Sequence, residues 1–230
     1  MDIRANLENV RGQITEIALA CGRNPASVDL LAVSKTFGPE VVDLAAAAGQ
    51  TAFGENRVQE AENKIPLVKA PGIKWHLIGH LQSNKARRAV QLFDVIESVD
   101  SEKLARILDR SAAELSKLLP VFVEVNVGEE SQKSGVPPSE LRQTLDVMAS
   151  LDHLELLGLM AIPPWSDDPE RSRPYFRRLA GLRDEVNRTL AVPLRQLSMG
   201  MSHDFKVAIQ EGSTLVRVGT AIFGERKANG

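Results

Sequence analysis

Short apolar runs alternate with helix-patterned segments about eight times along the 230 residues, and repeated strand-then-helix units imply parallel strands joined by right-handed crossovers. So many units in one chain favour closure over an open sheet. The expected architecture is therefore α/β, a TIM (β/α)8 barrel with an additional N-terminal helix. No Gly/Ser-rich linker or low-complexity tract divides the sequence, and Pro163-Pro164-Trp165-Ser166-Asp167-Asp168-Pro169 reads as a strand-to-helix loop. Residues 1–230 are expected to form one domain.

The opening helix rests on Ile3, Leu7, Val10, Ile14 and Ile17, whose spacings of four and three put them on one face, and Gly22 and Pro25 end it. Strand-like runs then pair with helical stretches: 30–33 with 39–48, 51–54 with 57–65, 75–79 with 84–92, 95–99 with 101–118, and 121–127 with 139–149. The apolar run 154–161 leads to the periodic Phe176, Leu179, Leu182, Val186 and Leu190, a helix entered at Pro174. Two weaker units close the series. Residues 196–198 precede a helix over 205–210, and 215–218 precede a terminal segment starting near Thr220.

Hydrophobic residues make up 43% of the chain, enough for a substantial core. With 28 basic and 30 acidic residues the net charge is −2, which gives no electrostatic footprint for nucleic acid or an anionic membrane and leaves a small molecule as the expected ligand. Cys21 is the only cysteine, so an intrachain disulfide and a cysteine-rich metal site are excluded, in keeping with a reducing compartment. Asp2, Arg4 and Glu8 interrupt the amino terminus, unlike a secretory signal. The most apolar stretch, 154–162, contains Glu155 and stops at Pro163-Pro164, too short and broken to cross a bilayer. A cytoplasmic protein is expected.

Lys35 closes the run Leu30-Leu31-Ala32-Val33-Ser34-Lys35, and strand alternation puts Leu31, Val33 and Lys35 on one side, pointing inward at the carboxyl end where barrel enzymes keep their sites. Partial burial there lowers an amine's pKa and frees it to attack an aldehyde; the bland reading is an exposed lysine starting a loop. Arg217 shares a face with Leu215 in the eighth strand and is expected inside, where a guanidinium could donate to a ring nitrogen; the alternative is an ion pair at the rim. Gly219-Thr220 after the eighth strand and Gly200-Met201-Ser202 after the seventh lie where many barrels bind phosphate, although ordinary loops also use such glycines. An amine for a Schiff base, a ring-nitrogen donor and a phosphate cradle point together to pyridoxal 5′-phosphate.

Other polar residues are less specific. Asn56, after the second strand, could contact a ring at the mouth or cap the next helix. His76 and His80 have the spacing of a helical metal pair, but the segment reads as extended, so core or rim histidines are expected and no metal. Lys133 in the loop after the fifth strand could approach an anion or simply face solvent.

Several segments carry a family resemblance: Leu31-Ala32-Val33-Ser34-Lys35, Phe53-Gly54-Glu55-Asn56, His76-Leu77-Ile78-Gly79-His80-Leu81-Gln82-Ser83-Asn84-Lys85, Leu197-Ser198-Met199-Gly200-Met201-Ser202 and Val216-Arg217-Val218-Gly219-Thr220-Ala221-Ile222-Phe223-Gly224. Nearly end to end, the sequence resembles the pyridoxal phosphate homeostasis proteins, the YggS and PROSC group. The resemblance implies a barrel like the amino-terminal domain of alanine racemase, Lys35 as the Schiff-base lysine, and the turns of Met201-Ser202 and Gly219-Thr220 around the phosphate; Asn56 and Arg217 join the expected cofactor-binding residues from their places after and in the strands. It also implies a role in supplying or buffering vitamin B6; apo-enzymes as recipients, no nucleic acid or membrane partner, and a monomer or weak oligomer are the accompanying expectations. Some members carry a second lysine just after the first. Here Thr36-Phe37-Gly38 stands in its place.

The competing reading is a pyridoxal phosphate-dependent amino-acid racemase or weak lyase of the alanine racemase type. Racemisation needs two bases on opposite faces of the cofactor. In alanine racemases the second is a tyrosine of a carboxyl-terminal β-domain, whereas this chain ends soon after Phe223-Gly224 and its one tyrosine, Tyr175, falls at the start of an expected outer helix. A binding protein without a second catalytic base fits better. A third reading has a different phosphorylated metabolite bound noncovalently, with Lys35 acting only as a charge.

Overall fold

Strand alternation sets the layers of the molecule. In the computed structural model, which describes residues 2–130 and 132–225, eight strands follow in order: β1 (Asp29–Val33), β2 (Ala52–Glu55), β3 (Lys74–Leu77), β4 (Val95–Val99), β5 (Leu119–Glu124), β6 (Leu154–Met160), β7 (Gln196–Met201) and β8 (Leu215–Val218). Each pairs in parallel with its neighbours in sequence, and β8 returns to β1 with Arg217 opposite Leu31, closing the barrel. The helices are α1 (Ile3–Ala20), α2 (Pro39–Ala47), α3 (Val58–Lys64), α4 (Ala86–Leu92), α5 (Glu102–Glu114), α6 (Leu141–Ala149), α7 (Arg173–Asn187), α8 (Phe205–Gln210) and α9 (Thr220–Phe223). The expected TIM barrel and its additional opening helix are both present.

Alternate side chains divide into two apolar zones. Leu31, Val33, Ile78, Val95, Phe122, Met160 and Leu215 pack inside the barrel. The other faces of the strands meet the helices in a continuous shell that includes Phe53, Phe93, Phe176 and Phe223.

The opening helix has a structural task. At four residues α9 is too short to cover the seam between β8 and β1, and α1 packs against α8, α9 and α2 in its place. Ile3, Leu7, Val10, Ile14 and Ala18 form its buried stripe. Asp2 caps it by accepting from Ala5 N at 3.0 Å, Asn6 donates to Ile222 O at 2.8 Å, and Arg11 donates to Ala48 O and Gly49 O at 3.2 and 2.9 Å.

Several boundaries differ from the sequence reading, most of all at α5, β5 and β7. The helix expected over 101–118 stops at Glu114, because Ser116 takes a left-handed φ of 50° that turns the chain toward β5. That strand starts at Leu119 and ends at Glu124, earlier than expected at both ends. β7 continues through Met201, so Gly200 and Met201 belong to the strand rather than to the turn after it. Among the described residues no helix is long and apolar enough to cross a membrane.

Candidate functional site

Lys35 stands two residues beyond Val33, past the carboxyl end of β1, and is half-buried. It is the second residue of a turn in which Phe37 N donates to Ser34 O at 3.1 Å. Thr36, the third residue, has φ 71°, the left-handed value that a type II turn requires and that a β-branched residue adopts only under constraint. Phe37 then packs on Phe223 of α9, with ring centroids 5.3 Å apart.

The turns after β7 and β8 meet beside this lysine. A Cβ on Gly219 would lie 3.2 Å from Val33 O, so the turn after β8 rests against the end of β1. Gly219 N and Ala221 N both donate to Ser202 Oγ, at 3.1 and 3.4 Å, so their N–H groups converge on one oxygen. Thr220 is exposed next to them, and Met201 N is held by Asp204 Oδ1 at 2.8 Å. Gly200, at φ 93°, has Phe205 Cα 2.9 Å from where a Cβ would be, which lets α8 approach the strand.

Arg217 lies inside the barrel, 2% exposed, and not at the rim. Its Nη1 donates to Ser198 O at 2.8 Å and Ser198 Oγ at 2.6 Å, and its Nη2 to Ala161 O at 2.9 Å. Burial pulls the guanidinium below its ordinary pKa, opposed by Glu97, Glu124 and Asp204, yet arginine keeps its proton at any accessible pH. Glu97 joins the network by accepting from Ser198 Oγ at 2.5 Å and pairing with His76 Nδ1 at 2.6 Å. Burial alone would raise the Glu97 carboxyl, but the bond to and charge of His76, then Arg217 and Ser198, outweigh it and hold the group below the usual carboxylate value. Glu124 behaves in the opposite way. Burial, reinforced by Asp100, raises it despite a 3.1 Å bond from Ser134 and the charges of Arg217 and His80.

Asn56 is half-buried after β2 and caps nothing, since Arg57 is the N-cap of α3. Gly79 permits its position, because a Cβ there would overlap Asn56 O. The two histidines part company: His76 is buried on Glu97, while His80 is exposed and pairs with Asp100 at 3.0 Å. Among the described residues no group of three or more His, Cys, Asp or Glu is arranged to hold a metal. Lys133 pairs with Glu130 at 2.6 Å in the loop after β5. Tyr175 sits in the first turn of the outer helix α7, partly buried against the shell between strands and helices.

Two polar groups escaped the sequence reading. One is the set Glu97, Ser198 and Glu124 around Arg217; a carboxylate inside the apolar run Val95-Ile96-Glu97-Ser98-Val99 was its signal. The other lies behind β1. Lys64 of α3 donates to Ser34 O at 2.8 Å and Glu55 Oε1 at 2.7 Å, and Ser34 Oγ donates to the same Glu55 oxygen at 2.6 Å. Lys64 lies three residues past the buried Ala61 and six past the buried Val58, a spacing that marks the inner face.

Comparison with known proteins agrees with this fold. Residues 5–227 match the family described as alanine racemase, N-terminal domain. The pyridoxal phosphate homeostasis protein of Aquifex aeolicus is 43% identical over 227 residues, covering 99% of this chain and all of that one. Solved structures of PipY from Synechococcus elongatus PCC7942, 40% identical, superpose with TM-scores of 0.88 without PLP and 0.86 with PLP bound, each covering 96% of this chain and 100% of theirs. On the match along the chain and the shared barrel, this protein belongs to the alanine racemase N-terminal domain family and, within it, to the pyridoxal phosphate homeostasis proteins.

Proposed function

We propose that this chain binds pyridoxal 5′-phosphate as a Schiff base on Lys35 and serves intracellular vitamin B6 homeostasis as a carrier or buffer. The observation that carries the reading is the meeting of three unlike groups at one mouth: the Lys35 turn, the converging N–H donors of Gly219 and Ala221, and the buried Arg217. These fit the aldehyde, phosphate and ring nitrogen of one small molecule. In bond formation the neutral Lys35 amine would attack the aldehyde carbon; the C=O and both N–H bonds break, one C=N bond forms, and the aldehyde oxygen leaves as water carrying the two amine hydrogens. Arg217 presents a donor that holds its proton, so the ring nitrogen stays unprotonated. When bound, the cofactor supplies an electron sink for substrate carbanions, weakened by that choice.

Holding the cofactor for transfer, rather than turnover, is favoured by Tyr175 lying on the outer helix α7, where it packs against the shell between strands and helices and not among the residues inside the barrel. Transfer recipients are apo-enzymes. A cytoplasmic setting, one domain over residues 1–230 and a monomer or weak oligomer complete the reading, with the exposed, unpaired Cys21 in keeping with a reducing compartment. The decisive experiment is borohydride reduction of the loaded protein followed by peptide mapping. Label on Lys35 is expected, and Lys35→Ala should lose the near-visible absorption while its far-UV circular dichroism stays unchanged. Label elsewhere overturns the assignment. Transfer to an apo-enzyme faster than from equal free cofactor is expected of a carrier; no difference leaves only storage.

A further inference from the structure

The cluster behind β1 is costly by any ordinary account. Lys64 is 8% exposed and Glu55 fully buried, their ion pair sits between sheet and helix where Val58 and Ala61 show that apolar packing is available, and Glu55 Oε2 has no hydrogen-bond partner. Buried pairs of this kind are weak stability devices, and an apolar replacement often does as well. Burial also pushes the Glu55 carboxyl above its usual range against the pull of Lys64 and Ser34.

What the cluster grips explains its presence. Ser34 N donates to Gly54 O at 3.1 Å, Ser34 Oγ donates to Glu55, and Ser34 O accepts from both Phe37 N and Lys64 Nζ. Every polar atom of Ser34 is thereby fixed, and Ser34 is the first residue of the turn that carries Lys35. That turn contains the strained Thr36, and such a conformation persists only where its surroundings over-determine it.

We propose that Lys64, together with Glu55, is a positioning residue for Lys35: it locks the Ser34–Phe37 turn so that the Lys35 amine is aimed into the mouth. The inference rests on the Schiff-base reading above and adds a second lysine that touches no cofactor. It acts through the backbone. A pair serving only to join α3 to the sheet would affect every property of the protein alike, whereas a positioning pair acts on the chemistry of Lys35 selectively.

The test is a double-mutant cycle with pyridoxal 5′-phosphate as the probe. Lys64→Met is made with Lys35 intact and in Lys35→Ala. With Lys35 present, the borohydride-trappable bond should form on the order of ten- to a hundred-fold more slowly. In Lys35→Ala, Lys64→Met should change the residual affinity by less than about twofold. An unchanged rate with Lys35 present, or an equal loss of affinity in both backgrounds, overturns the proposal. If Lys64→Met does not fold, Ser34→Ala, which removes only the hydroxyl on Glu55, goes through the same cycle with the same two expectations. Wild-type protein with no label on Lys35 refutes the function proposed above, an outcome distinct from either result of the cycle.

Discussion

Arg217 and the two carboxylates near it show how finely one side chain's surroundings decide its charge. Arg217→Met removes donors from Ser198 O, Ser198 Oγ and Ala161 O and strips Glu97 of a cation in a fully buried site. The expected cost is about 3–5 kcal/mol, measurable by urea unfolding. Glu97 has a depressed carboxyl pKa in the fold, so its stabilising contribution is present above the ordinary carboxylate value and disappears as pH falls through the folded one. Acid unfolding of Glu97→Gln should accordingly be shallower than that of wild type. Glu124 has a raised pKa, so the fold favours its protonated form and loses stability as pH rises from the unfolded to the folded value. Glu124→Gln should therefore raise the melting temperature at pH 8, and the gain should vanish near pH 4. At this scale the sequence was legible where two-residue alternation applies, as for Arg217 after Leu215 in β8; Lys35 lies beyond the end of β1, in a turn whose Thr36 conformation alternation does not report. The sequence was silent on the Ser34, Glu55 and Lys64 cluster, whose members come from three elements and whose lysine would by default face solvent. The histidines could not be told apart either, since β3 ends at Leu77 and leaves His76 in the barrel and His80 on the loop.

Whole elements were easier to locate than their ends. β4, α8 and β8 begin and end where periodicity and turn residues put them, because each is bounded by a sharp change of pattern. The end of α5 and the extension of β7 were hidden, since both depend on backbone conformations, at Ser116 and Gly200, that apolar spacing does not report. Glycines within elements give contrasting tests. In β6 a Cβ on Gly158 would overlap the backbone oxygen of Gln196 in the adjacent strand, and a backbone atom cannot rotate aside. Gly158→Ala should cost about 1–3 kcal/mol. Gly181 in α7 has open space around it and an ordinary helical place. Gly181→Ala should stabilise the protein by about 0.5–1 kcal/mol, and thermal melts of the two variants should move in opposite directions.

For the molecule as a whole, eight strand–helix alternations were enough to foresee a closed barrel, because right-handed parallel connections leave few other solutions. The service performed by α1 was not foreseeable, as nothing in its own pattern says which strands it will cover. Leu7 is fully buried in that contact. Leu7→Ala should cost about 2–5 kcal/mol and lower the melting temperature by roughly 2–4 °C per kcal/mol, a loss as large as for a residue of the central barrel. The ring pair Phe37 and Phe223 has a consequence at the same scale. It joins the segment bearing Lys35 to the segment bearing Thr220 through a contact worth about 0.5–1.5 kcal/mol, which favours their moving together. On the function proposed above, the two segments are expected to release a bound cofactor together and not one after the other.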